Sequence, residues 1–203
     1  MEIIKSMEQG SQEWLDLRLG KVTASCFSKV IAKGRGNAQS KVRADYMLQL
    51  AAEIVTGQVQ DTYTNQYMEW GTETEPKARS MYELMNDVTV DEVAFIKHSE
   101  HVGVSPDGLV GDNGLLEIKC PKTTTQIQRV IAGVCPTEYI AQIQGQLWVS
   151  GREWCDFVSY DPRIKNDASY FEVRVERDEV FISDLAEAVD KFLEELNEIL
   201  CKL

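Results

Sequence analysis

Asp107, Glu117 and Lys119 set two carboxylates and an ammonium in the pattern D-x9-E-x-K. They lie in Ser105-Pro106-Asp107-Gly108 and, after a turn, Leu116-Glu117-Ile118-Lys119-Cys120-Pro121. Strand side chains alternate faces, so Glu117 and Lys119 point one way and Ile118 the other. Gly111-Asp112-Asn113-Gly114 is a Gly-flanked turn between apolar runs, which predicts a hairpin that returns Asp107 to Glu117. Magnesium takes one or two carboxylates plus water and substrate phosphate. Held there, it turns water into a nucleophile and offsets charge growing on phosphorus. Lys119 is then placed to orient that water or take its proton. This is the residue set a metal-dependent phosphodiesterase needs; the competing reading is a solvated Glu-x-Lys pair on an edge strand.

Other side chains are candidates for the same site. Arg18 offers a planar fork to phosphate oxygens, and Ser25 lies near a helix start where free N–H groups face an anion. A surface ion pair and an ordinary N-cap are their alternatives. Glu75 either supports the metal site or answers the positive end of a helix. Gln142 and Gln146 share a helix face at i, i+4, so one of them is expected to reach the catalytic strand. Thr123 to Thr125 either touch a DNA strand or start a helix.

The elements that must position these groups read as a helical N-terminal half, a central group of strands with intervening helices, and a closing helix. Helices are predicted from Ser11 to Leu19, Thr23 to Gly34, Ser40 to Val55, Tyr67 to Asn86, Thr124 to Ala132, Thr137 to Ser150 and Val180 to Leu200. Strands are predicted at Val88 to Lys97, His101 to Ser105, Leu115 to Cys120, Cys155 to Tyr160 and Tyr170 to Glu176. That order indicates an α/β layer fold. With 203 residues and neither repeat nor Pro/Ser linker, a single domain over 1–203 is expected.

The net charge of −12 would argue against nucleic acid, but its distribution reverses the argument. Between Asp16 and Asp45 there is no acid, only Arg18, Lys21, Lys29, Lys33, Arg35, Lys41 and Arg43. The acids concentrate in Glu176 to Leu203, nine against three bases. Screening limits the reach of those distant acids, so the basic segment is read as a phosphate-facing surface. Five cysteines without a C-x-x-C pair read as thiols of a reducing cytoplasm, not a disulfide frame or zinc site. No apolar run suits a signal peptide or a membrane span, so a cytoplasmic protein with no membrane partner is expected. No G-x-x-x-x-G-K-[ST] loop is present, so no ATP is expected.

Trp14-x-x-x-Arg18-Leu19-Gly20-x-Val22-Thr23-Ala24-Ser25, Ser105-Pro106-Asp107-Gly108, Glu117-Ile118-Lys119-Cys120-Pro121, Tyr139-Ile140-Ala141-Gln142-Ile143-Gln144 and Tyr160-Asp161-Pro162-Arg163 occur in that order. Together they resemble phage lambda exonuclease and related viral recombination nucleases, the alkaline exonucleases of the PD-(D/E)xK superfamily. The resemblance implies a three-layer restriction-endonuclease-like α/β fold, with a central mixed sheet flanked by helices. It implies a magnesium-dependent 5′-to-3′ exonuclease, with manganese as a substitute. Such an enzyme degrades one strand of linear double-stranded DNA to mononucleotides and leaves a 3′ single strand. It implies a homotrimeric ring, a 5′-phosphate DNA end as substrate, a single-strand annealing partner, and a phage or prophage gene acting in a bacterial host.

Carried over by motif, Asp107, Glu117 and the Ile118 carbonyl hold the metal and Lys119 handles the water, with Glu75 and Gln142 in support. Arg18, Ser25 and Ser105 bind the 5′-phosphate. By the same resemblance Arg35 would contact DNA and Met68 would wedge between end bases, and Lys33 of the basic segment is a further DNA-binding candidate. One departure is Thr125, where the family places an arginine shortly after Cys-Pro; Lys122 is the candidate replacement. A restriction- or repair-type endonuclease and a non-catalytic DNA-binding subunit are the alternative functions.

Overall fold

The computed structural model describes residues 1–34, 36, 40–59 and 66–203, and only the backbone of Tyr67 and Met68. At its centre is β7 (Gly114–Lys119), a strand buried over its first five residues. It lies between β6 (Gly108–Val110) and β8 (Trp154–Tyr160) in a five-stranded sheet of order β3-β6-β7-β8-β9, with β3 Val90–Asp91 and β9 Tyr170–Glu176 at the edges. The β6–β7 hairpin is antiparallel, with Gly108 opposite Leu116, whereas β7 and β8 run parallel, with Lys119 opposite Ser159. The sheet is therefore mixed.

Strand alternation sorts the side chains of this sheet into two cores. Leu115 and Phe157 pack with α6 (Thr137–Ser150), α7 (Glu179–Leu200), α3 (Lys41–Thr56) and α2 (Phe27–Val30), through Leu147, Phe192, Leu50 and Phe27. Leu116, Ile118 and Val158 face the other way, onto Ala78 and Tyr82 of α4 (Gln66–Asn86). Helix, sheet and helix thus form three layers, the expected α/β arrangement. Glu117 shares the Leu115 face and is aimed beneath α6.

A second sheet, of order β1-β4-β5-β2, holds the N-terminal segment against this frame. Its strands are β1 Glu2–Ile4, β4 Phe95–Lys97, β5 Val102–Val104 and β2 Val22–Thr23. It carries α1 (Gln12–Arg18), which Ser11 caps by accepting the Trp14 N–H at 3.3 Å. The remaining α-helix, α5 (Thr123–Ala132), starts two residues beyond Cys120-Pro121.

Two strand expectations are corrected. The hairpin arm expected at His101 to Ser105 belongs to the second sheet, and the actual arm is Gly108–Val110. Pro106, which has no N–H to give a ladder, lies between these two strands. A Cβ at Gly108 would sit 2.1 Å from Val90 Cγ1, so only glycine lets β3 pack there. The strand expected from Val88 to Lys97 likewise divides, β3 and β4 entering different sheets. The long helices match expectation: Ser40 caps α3, and Gly57 ends it at φ 65°.

Candidate active site

Glu117 is fully buried, and three donors meet its carboxylate. Oε1 accepts from Lys119 Nζ and from Gln142 Nε2, the latter at 2.6 Å; Oε2 accepts from Gln146 Nε2 at 2.7 Å. Both glutamines of the α6 face therefore reach the strand, not one. Such charge-assisted bonds make an ionised carboxylate tolerable in a core. The Gln146 carbonyl oxygen, Oε1, is buried with no hydrogen-bond partner among the described residues.

Asp107 precedes β6, as the hairpin argument requires. Its N–H donates to the Leu116 carbonyl at 3.1 Å, and its Oδ2 accepts the Ile118 N–H at 2.6 Å. The carboxylate is thus locked beside β7, one residue from Glu117. Burial first, then repulsion from Glu117, holds the Asp107 carboxyl well above the usual range, against the pull of Lys119. Burial also raises Glu75, with Arg79 and then Lys119 opposing. Arg79 bonds Glu75 and Glu92, at 2.8 Å each. Burial alone would lower Lys119, but Glu117 and then Asp107 outweigh it and raise it. Lys119 is accordingly an ammonium that donates in this state. The neighbouring Cys120 thiol is pushed up to about 12 by burial and by Glu75 and Asp107, so it is no nucleophile at neutral pH.

Three carboxylates around one lysine are an electrostatic excess that a divalent cation would offset. Asp107, Glu117 and the Ile118 carbonyl are hard oxygen donors, the chemistry magnesium prefers. The Gln146 oxygen is a buried acceptor left open on a side chain that bonds Glu117 through its other atom, a polar group that a water would satisfy. Among the described residues no three His, Cys, Asp or Glu form a ready-made cage. The donor set therefore fits an ion that keeps several waters.

Beside this cluster is a cavity of about 190 Å³, lined by Gln9, Trp14, Arg18, Ser25, Ser105 and Gln142, among others. Arg18 Nη1 donates to Ser105 Oγ at 3.0 Å, and its guanidinium carbon lies 4.0 Å over the Trp14 ring. Trp14 Nε1 donates to the same hydroxyl at 3.1 Å and to the Ala94 carbonyl at 2.9 Å. Burial lowers Arg18, but an arginine stays charged at neutral pH. Among the described residues it pairs with no carboxylate; its side-chain bonds go to Ser105 and Thr23. A guanidinium with no carboxylate bonded to it among the described residues, and only the charge of Glu53 acting on it from further off, has the chemistry of an anion site. Gln142 lines this cavity and also bonds Glu117, which joins the anion site to the carboxylates.

The remaining candidates divide. Lys122 is exposed at the N-cap of α5 and does not line the Arg18 cavity. Lys33 is exposed and borders a separate cavity of about 550 Å³ between α2, α3 and α7. Arg35 and the Met68 side chain lie outside the described residues. The basic segment is less uniform than its sequence indicates, because Arg43 pairs with Glu195 of α7 at 2.5 Å. The Thr123 hydroxyl donates to Asp161 at 2.6 Å.

Sequence reasoning missed Gln9 and the burial of Arg129. Gln9 Nε2 donates to the Val93 and Pro106 carbonyls at 2.8 and 3.0 Å, tying down the turn that presents Asp107. Arg129, one turn of α5 after Thr125, is buried and donates to Ser159 Oγ at 3.0 Å and Tyr139 Oη at 2.7 Å. Neither position belongs to a motif, and the apolar periodicity of α5 gives no hint of a buried cation.

Comparison with known proteins places the chain and its fold. Residues 13–153 match the YqaJ-like viral recombinase domain. The fold superposes on an alkaline exonuclease, LHK-Exo, of Laribacter hongkongensis with a TM-score of 0.87, at 44% identity over 94% of each chain. The same enzyme solved in complex with dAMP gives a TM-score of 0.87 at 43% identity over 94% of each chain. An uncharacterised protein of Acanthamoeba polyphaga mimivirus is 27% identical over 176 residues, 78% of this chain. The matching stretch spans 30% of that viral protein's length.

Proposed function

This chain belongs to the family of YqaJ-like viral recombinase domains, and from that membership and the site we propose that it is a DNA exonuclease of homologous recombination. In this reading it removes nucleotides 5′ to 3′ from one strand of a linear duplex bearing a 5′-phosphate, and leaves a 3′ single strand for annealing. The observation that carries the reading is Gln142, which touches both the Arg18 cavity and Glu117. A terminal phosphate seated on Arg18 then lies next to the carboxylates, so cutting is measured from an end. Homology to an alkaline exonuclease supports it, and the dAMP bound by that enzyme is a mononucleotide of the kind expected as product.

Magnesium, or manganese in its place, would be held by Asp107, Glu117 and the Ile118 carbonyl; when bound it supplies an acidified water and neutralises phosphate charge. The chain's own residues do the rest. Arg18, Ser25 and Ser105 hold the terminal phosphate, and Gln142 and Gln146 fix Glu117. The Lys119 ammonium donates N–H hydrogen bonds to the reacting oxygens. Water adds to phosphorus and the O3′–P bond breaks, which frees a 5′-mononucleotide and leaves a new 5′-phosphate for the same cavity. Arg35, Lys33 and Met68 are proposed to contact the duplex, with Lys122 as an outer phosphate contact. A trimeric ring around DNA, an annealing-protein partner and action in the host cytoplasm complete the proposal. Among the described residues no helix is long and apolar enough to cross a membrane.

Linear duplexes with 5′-phosphate or 5′-hydroxyl, and closed circles, each incubated with magnesium or with chelator, test the reading. Magnesium-dependent loss of linear DNA, fastest with 5′-phosphate, is expected. Cutting of closed circles would establish the endonuclease alternative instead, and no cutting of any substrate would leave a DNA-binding subunit.

A further inference from the structure

Asp161 follows the last residue of β8 and is fully buried. Its carboxylate accepts the Thr123 hydroxyl and, from Arg163, the backbone N–H at 3.0 Å, Nε at 2.7 Å and Nη2 at 3.0 Å. Nη2 also donates to the Pro121 carbonyl at 3.1 Å, two residues beyond Lys119. The guanidinium is therefore tethered to the exit of the catalytic strand. Its carbon lies 4.4 Å over the ring of Trp70, on α4 five residues before Glu75. Neither Trp70 nor Arg163 lines the Arg18 cavity.

The Arg163 side chain is 48% exposed while that of Asp161 is wholly covered. Arg174 over Asp156 and Trp154 has the same exposure, and what sets Arg163 apart is its bond to the Pro121 carbonyl just beyond β7. Among the described residues its Nη1 makes no hydrogen bond. Exposed arginines usually lose rotamer freedom when they grip a ligand. This one is already fixed by a carboxylate, a carbonyl and an aromatic face, with one edge open to solvent. A planar, weakly hydrated guanidinium in that state is matched to a phosphate. Exposed Lys165 lies two residues further along the chain, and exposed Lys122 adjoins Pro121.

We propose that Arg163, seated on Trp70, is a phosphodiester-binding residue that grips the backbone of the strand under digestion beside the end of the catalytic strand. This rests on the DNA-cleaving reading above and adds to it a second backbone contact, distinct from the terminal-phosphate cavity.

The test is equilibrium binding of a 5′-phosphorylated duplex, with chelator to prevent cutting, over a series of potassium chloride concentrations. Arg163→Gln should weaken binding about five- to tenfold at low salt and reduce the slope of log affinity against log salt by about one unit. Arg163→Lys should keep the slope. Trp70→Leu leaves the Asp161 pair in place and should lose about two- to threefold in affinity with the slope intact. Thr123→Val disturbs Asp161 from its other side and should bind like wild type. Melting curves identify any variant that fails to fold, and Trp70→Leu and Arg163→Lys then decide. A wild-type slope for folded Arg163→Gln overturns the assignment, as does equal loss in Thr123→Val or unchanged affinity in Trp70→Leu. If the wild type itself shows no salt-dependent DNA binding, the DNA-cleaving reading falls and this contact falls with it.

Discussion

Replacing Arg18 by methionine isolates what the terminal-phosphate cavity contributes. Methionine keeps an apolar stem over Trp14 and removes only the charged fork, now 4.0 Å above that ring. The free protein loses two hydrogen bonds, to Ser105 and to Thr23, and the cation–π contact, together about 2–3 kcal/mol, which a folded domain tolerates. The substrate complex loses more. Of the guanidinium's donors, Ser105 and Thr23 take two, which leaves others for phosphate oxygens. One or two charge-assisted bonds at about 1.5–3 kcal/mol each amount to about 3 kcal/mol, or on the order of 100-fold in kcat/KM. That loss should appear only when the duplex carries a 5′-phosphate. The assay is single-turnover release of the labelled first nucleotide, because every later cut starts from a 5′-phosphate that the enzyme itself has made. Arg18→Met should fall about 100-fold on the phosphorylated end and less than about threefold on the hydroxylated end. Equal losses on the two ends would refute the reasoning and reduce Arg18 to a structural or general DNA contact.

Three further outcomes follow from the site. Lys119→Ala should abolish cleavage while binding of duplex DNA in chelator stays within about threefold of wild type; retained turnover, measured by nucleotide release, would remove Lys119 from the chemistry. Asp107 is raised in the folded state, so the folded protein binds the extra proton; the stability tied to it is full at acid pH and is lost as pH rises through the folded value. Metal-free Asp107→Asn, which still offers an oxygen to the Ile118 N–H, should therefore melt higher than metal-free wild type at pH 8, with the gap closing near pH 4; thermal melts with chelator read this directly, and an unchanged gap would contradict it. The Cys120 thiol, pushed up to about 12, should be alkylated by iodoacetamide at pH 8 far more slowly than the exposed Cys201, as peptide mapping over time would show.

The parts of this site visible in the sequence are those governed by short periodicities. Alternation in Leu116 to Lys119 placed Glu117 and Lys119 on one face, and the i, i+4 spacing of Gln142 and Gln146 turned both toward that strand. The parts that stayed hidden depend on contacts across the chain. Pro106 separates two strands of different sheets, yet nothing local says which of them pairs with β7. Gln9 reaches the Asp107 turn across 97 residues, and a polar side chain in an irregular segment carries no pattern that predicts such a reach. Arg43 finds Glu195 across 152 residues, so a basic stretch that looked uniform has one charge already matched. The three-layer order was recoverable from the sequence of helices and strands, whereas the second sheet was not, because β1 and β2 are only three and two residues long.

End-directed cutting from the 5′ side is the central claim, and strand-specific labels test it most directly. A linear duplex with a 5′-phosphate is labelled at the 5′ end of one strand and, in a second preparation, at the 3′ end of the same strand, and the released products are followed over time with magnesium. The 5′ label should leave first, as a mononucleotide, and the 3′ label should stay in long DNA until late. Early release of the 3′ label, or a 5′ label released within oligonucleotides, would contradict it.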